Sequence, residues 1–288
     1  MRRFGDRSDG KKLRNVNPFF RVIPHLMPER NDAQVFFESQ IDLEKTHEII
    51  RELRKDGLKV GFLHVVIAAV VRTLSQRPKL NRFVRGKKTY ARNEISISFA
   101  LKRSLEDDGE ETTVKVVFDP KDTLFDVVKK VNEIVEENKD AAANNNTDKA
   151  AKFFNLLPNF LLSFTIGFIK FLDNRGKLPK FLINLSPFHS SVFVTDLGSL
   201  KIDPIYHHIY NFGTNSIFIA FGIKRKEHVV NNDMEIEKRK KMNLKIVADE
   251  RIVDGFYFAK SLRLSEKYME NPRLLLDEPK EVFEDDEI

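Results

Sequence analysis

The sequence predicts an α+β protein built as one mixed β-sheet flanked by helices. Three observations carry this. Two-residue alternation typical of strands occurs at 35–41, 94–101, 112–118, 191–195, 216–223 and 243–248. Helical spacing of apolar residues occurs at 43–55, 62–74, 123–137 and 255–269. Neighbouring strands are not strictly separated by helices, so a mixed sheet fits better than a doubly wound parallel one.

In chain order, residues 1–20 read as a basic N-terminal arm, polar until Pro18-Phe19-Phe20. No apolar stretch follows the basic start, so no secretory signal is expected. After the strand at 35–41, Asp42 is placed to cap a helix over 43–55, which Asp56-Gly57 ends. The run 62–74 is apolar nearly all round and predicts a buried helix stopped by Pro78. The helix at 123–137 presents Leu124, Val127, Val128, Val131, Ile134 and Val135 on one face.

Residues 139–149 include Ala141-Ala142-Ala143-Asn144-Asn145-Asn146 and predict an exposed loop. The window 153–172 is the most apolar of the chain, but Pro158, Gly167 and Lys170 interrupt it. It predicts a buried or subunit-interface helix pair, with peripheral membrane contact as the alternative. Asn271-Pro272 stops the last helix, and 273–288 reads as a disordered acidic tail.

The chain has no cysteine, which excludes disulfides, thiolate metal sites and a cysteine nucleophile, and fits a cytoplasmic setting. Net charge is +6. Residues 277–288 hold seven acids and one lysine, so the body is far more basic than the total. The basic runs Lys224-Arg225-Lys226 and Lys238-Arg239-Lys240-Lys241 have no interleaved aromatics, which argues against nucleic acid. No Gly-rich phosphate loop is present.

The chemistry-bearing stretch is Asp249-Glu250-Arg251-Ile252-Val253-Asp254-Gly255, between a strand and a helix. Two further stretches accompany it. One is Val192-Phe193-Val194-Thr195-Asp196-Leu197-Gly198, with Asp203-Pro204-Ile205 and Ile217-Phe218-Ile219-Ala220-Phe221-Gly222. The other is the 62–72 helix followed by Arg77-Pro78-Lys79-Leu80-Asn81. Together and in this order they resemble the acyltransferase catalytic domain of 2-oxo acid dehydrogenase complexes, whose fold chloramphenicol acetyltransferase shares. The family's His-x-x-x-Asp-Gly has Glu250 in place of its histidine.

That resemblance implies a catalytic domain over 21–272, with 139–185 as an insertion of loop and Phe-rich helices. It implies a homotrimer with active sites between subunits. It further implies acyl transfer between coenzyme A and a thiol or hydroxyl acceptor through a tetrahedral intermediate. Thr195 takes the oxyanion-binding position and Asp254 the loop-ordering position. Capping of the following helix also accounts for Asp254.

An ordinary glutamate, near ~4.3, is about four units weaker as a base than a thiolate near ~8.5. Glu250 therefore marks a changed proton acceptor or an inactive site that serves as scaffold, regulator or acyl-CoA sensor. His189, His207 and His208 are the candidate replacements, with His208 placed first. No metal is implied. Thr147-Asp148-Lys149-Ala150 matches a lipoyl-lysine tetrapeptide, but its Asn-rich setting is not a β-hairpin tip, so no lipoyl attachment is expected.

Overall fold

The computed structural model describes residues 3–102, 111–140, 156–231 and 233–288. The exposed loop expected at 139–149 and the tetrapeptide at 147–150 fall largely or wholly outside them.

The expected buried helix is the centre of the core. In α3 (Phe62–Gln76), twelve of fifteen residues are buried. At its start the Gly61 N–H donates to His64 Nδ1 at 3.0 Å, and His64 Nε2 meets Asn132 Oδ1 at 3.2 Å, which assigns this histidine to structure. Against α3 packs a six-stranded sheet of β2 (Gln34–Asp42), β5 (Ile95–Lys102), β6 (Glu111–Phe118), β7 (Val192–Asp196), β8 (Ile217–Val230) and β9 (Ile236–Asp249). Their spatial order is β2-β9-β8-β7-β5-β6. β7 runs parallel to both β5 and β8, and the other pairs are antiparallel, so the sheet is mixed as predicted.

Alternation assigns the two faces. Val192, Val194, Ile217, Ile219, Phe221, Leu244, Ile246 and Ala248 point into the core with α3. Burial of each such large aliphatic or aromatic side chain contributes about 1.5–3 kcal/mol. On the other face Phe193, Phe218 and Val247 cluster with Ile209, and that face also carries Thr195.

Helices α2 (Glu44–Lys55), α4 (Leu124–Asp140) and α7 (Gly255–Glu270) complete the flanks. Asp42 does accept the Glu44 N–H at 3.0 Å, one residue before the helix boundary. β8 and β9, fourteen residues each, run well past the expected strands as one long hairpin. Their outer halves are charged and half-exposed, so no apolar alternation announced them.

Both chain ends differ from expectation. Residues 3–20 are not a free arm. β1 (Gly10–Lys12) pairs with β4 (Lys88–Arg92), which also pairs with β3 (Arg82–Arg85). Arg7 is 3% exposed and ion-pairs with Asp9 and Asp173. A helix absent from the sequence reading, α1 (Pro18–Leu26), starts where Asn17 Oδ1 accepts the Phe19 N–H at 2.9 Å.

The acidic tail is not disordered. Asp285 is buried and binds Arg82 through both carboxylate oxygens at 2.5 and 2.6 Å. Lys79 holds Asp286 and Glu287, each at 2.9 Å. Composition alone gives this tail no partner; the fold supplies two cations.

The Phe-rich window forms α5 (Asn159–Asn174) and the short α6 (Lys180–Leu185). Within this chain the pair is not buried: Asp173 is the only buried residue of α5. Among the described residues no helix is long and apolar enough to cross a membrane.

Candidate active site

The motif loop leaves β9 at Asp249, which is wholly buried. Arg251 folds back onto it, with Nε 2.7 Å from Oδ1 and Nη2 2.7 Å from Oδ2. Arg30 approaches the same carboxylate at 3.4 Å. Burial pushes the Arg30 guanidinium down to about 10 against the opposing pull of Asp249. Arg251 also donates to Met27 O at 2.8 Å, and Arg30 to Tyr210 O at 2.7 Å and Val84 O at 3.0 Å. One carboxylate thus joins the loop to three other segments.

Asp254 does not take this part. Its Oδ1 accepts the Tyr257 N–H at 2.8 Å and caps α7, and no ion pair to it occurs among the described residues. The loop-ordering ion pair falls to Asp249, which the sequence reading had not singled out. The signal was present as Asp249-x-Arg251, but an acid–Arg pair two residues apart usually reads as solvated surface.

Glu250 is exposed at the turn, and its N–H donates to Ala33 O at 2.9 Å. Thr195 is half-exposed near the end of β7, and its hydroxyl has no hydrogen-bond partner among the described residues. In register, Thr195 pairs with Ala220 and Ala220 with Lys245. Glu250 lies five residues beyond Lys245, roughly 17 Å further along the strand direction. One chain therefore does not bring Thr195 and Glu250 together.

The histidines divide clearly. His189 is fully buried, with Nδ1 2.8 Å from Ser186 Oγ and Nε2 3.4 Å from Asp173, so it belongs to an internal ion cluster. His208 faces solvent, edge-on to Tyr210 at 4.7 Å. His207 instead stacks on Phe218 at 4.5 Å, and its Nε2 is buried without a hydrogen-bond partner. Burial, with a smaller contribution from His208, lowers the His207 imidazole below its ordinary value. Phe218 is in register with Phe193, and Thr195 lies two residues on, on the same face. The imidazole on the Thr195 face of the sheet is thus His207.

Beside Thr195, Asp196 is pushed up by burial, opposed by the N–H groups of Ser199 and Gly198 and by Lys224. The adjoining glycines are sterically required: a Cβ on Gly198 would stand 2.5 Å from Gly222 O, and one on Gly222 would strike Pro204. This contact ties together the Leu-Gly, Pro-Ile and Phe-Gly stretches seen in the sequence. Among the described residues no three His, Asp or Glu side chains gather as metal ligands.

Residues 189–276 match the family model for the 2-oxoacid dehydrogenases acyltransferase (catalytic domain). The probable dihydrolipoamide acetyltransferase of Listeria monocytogenes superposes with a TM-score of 0.58 and 16% identity, covering 91% of this chain and 95% of that one. The Azotobacter vinelandii dihydrolipoamide acetyltransferase superposes at 0.58 with 14% identity, covering 92% and 95%. A chloramphenicol acetyltransferase superposes at 0.56 with 10% identity, covering 90% and 99%. Comparison with curated proteins gives no match. The chain therefore has the fold of these acyltransferases, and the region holding Thr195 and the 249–255 loop carries the family's sequence pattern.

Proposed function

We propose that the protein is a coenzyme A-dependent acyltransferase that works as a homotrimer in the cytoplasm. The observation that carries this reading is the separation of two unpartnered groups. The Thr195 hydroxyl and the Glu250 carboxylate are both accessible, sit at different ends of the sheet, and meet only if a neighbouring copy brings one to the other. In such a site the acceptor thiol or hydroxyl loses its proton to Glu250 or to the His207 imidazole. Its oxygen or sulfur attacks the thioester carbonyl, and the oxyanion accepts a hydrogen bond from Thr195 Oγ1. Collapse expels coenzyme A as the thiolate, which recovers the proton. On the β8–β9 hairpin Lys226 faces Lys240 and Arg225 faces Lys241, like-charge pairs that suit coenzyme A phosphates.

One observation favours a second reading, an inactive homologue serving as scaffold, regulator or acyl-CoA sensor. Glu250 is exposed and unpartnered where the resemblance places a histidine. A thiol–thioester exchange assay with acetyl-CoA separates the two. The enzyme reading expects wild-type turnover, a loss of about 10²–10³ in kcat for Thr195→Ala, and a gain for Glu250→His. A wild type without turnover, with coenzyme A affinity unchanged in Thr195→Ala, leaves only the inactive reading. Light scattering on the same samples tests the trimer.

A further inference from the structure

Helix α5 is turned inside out. Phe160, Phe164, Phe168 and Phe171 are 77%, 71%, 53% and 51% exposed. At 3.6 residues per turn they fall within an arc of about 80°. Opposite them Asp173 is fully buried, bound by Arg7 at 2.7 Å and Arg85 at 2.7 Å, so the polar residue faces inward and the phenylalanines face outward. These four phenylalanines, each more than half exposed, amount to about 400 Å² of apolar surface, comparable to the largest patch of a typical monomer.

The C-terminal end of α5 also walls a cleft of about 1220 Å³. Ten cationic side chains and two carboxylates line it. Lys12, Lys87, Lys88, Lys170, Arg175 and Lys177 have no ion-pair partner among the described residues. An exposed aromatic stripe and an unneutralised basic cleft therefore share one helix. A two-fold copy seated on this surface would set these cations against each other. Anionic phospholipid satisfies both features: headgroup phosphates neutralise the cleft, and the phenylalanines enter the acyl boundary. At sixteen residues α5 is about 24 Å long, short of the ~30 Å hydrocarbon core, so it lies in the surface and does not span.

We propose that the protein docks on anionic membrane surfaces through the Phe160–Phe164–Phe168–Phe171 stripe of α5, with the adjoining basic cleft engaging lipid headgroup phosphates. Flotation of the full chain with vesicles tests this, comparing phosphatidylcholine alone with equal phosphatidylcholine and phosphatidylglycerol. The wild type is expected to float with the anionic vesicles at least about tenfold better than with the neutral ones, since several basic residues near a charged surface attract it together. Phe164→Ser with Phe168→Ser is expected to lose binding to both. Lys87→Glu with Lys88→Glu should lose only the anionic preference. Wild-type protein that floats with neither vesicle overturns the proposal. So does a fall in assembly mass on light scattering for the phenylalanine variant, which would place the stripe between copies.

Discussion

Asp249 has no exposed surface, and two guanidiniums converge on it. Removing its carboxylate leaves Arg30 and Arg251 buried without a counter-charge, a change that costs about 3–5 kcal/mol. Asp249→Ala should therefore lower the urea midpoint strongly, while Glu250→Ala, at an exposed neighbouring position, should leave it within about 0.5 kcal/mol of wild type. The resemblance gives the loop-ordering position to Asp254, whereas the loop's ion pairs are on Asp249 and Asp254 caps the helix. Asp249 and Asp254 both flank an arginine in the chain, and only burial distinguishes them. The same holds for His207 and His208. Adjacent in sequence, they differ in which one stacks on Phe218 and which meets water.

At the scale of elements, α3 and the core strands were legible because apolar periodicity is written directly into the chain. The cap of α7 was legible too, since Asp254 precedes a helix-spaced run. Asp254→Ala removes the acceptor for the Tyr257 N–H and should cost about 1 kcal/mol. Thermal or urea unfolding of that variant measures it, and Asp254→Asn, whose side-chain oxygen caps about as well, should escape most of the loss. Helix α5 is not buried within this chain for a physical reason: apolar composition normally signals burial, and here Asp173, not phenylalanine, turns inward. A single ion cluster, at a position that reads as an ordinary helix-end acid, sets the orientation of the whole helix.

Across the whole molecule, buried ion clusters join segments far apart in the chain. Arg7, Asp9, Arg85, Asp173 and His189 link the N-terminal segment, β3, α5 and the approach to β7. Arg82 and Asp285 pin the tail to β3. Burial opposes ionisation of Asp173, but His189, Arg7 and Arg85 outweigh it and hold the carboxyl below the ordinary range. Burial likewise opposes Asp9, which Arg7 and Arg92 hold down. With folded values depressed below 3.8, the unfolded chain binds more protons in that window. The stabilisation is therefore complete above about pH 5 and is lost as pH falls through 3.8 toward the folded values. Melting temperature should begin to fall below about pH 5 and drop most steeply below pH 3.8, and Asp173→Asn should be less stable at neutral pH and flatter over that range.

The sequence by itself determined the α+β class, the core helix, most strand positions and the acyltransferase pattern around 192–222 and 249–255. Those features rest on local periodicity and turn chemistry, which are properties of neighbouring residues. Only the tertiary structure decided that both chain ends pack, that Asp249 and not Asp254 orders the loop, that His207 turns toward the sheet, and that α5 carries its phenylalanines outward. Three of these depend on which charges share a buried site, and the His207 orientation on its stacking against Phe218. Charged residues scattered along a chain look alike until folding removes water from some of them and leaves it around the rest.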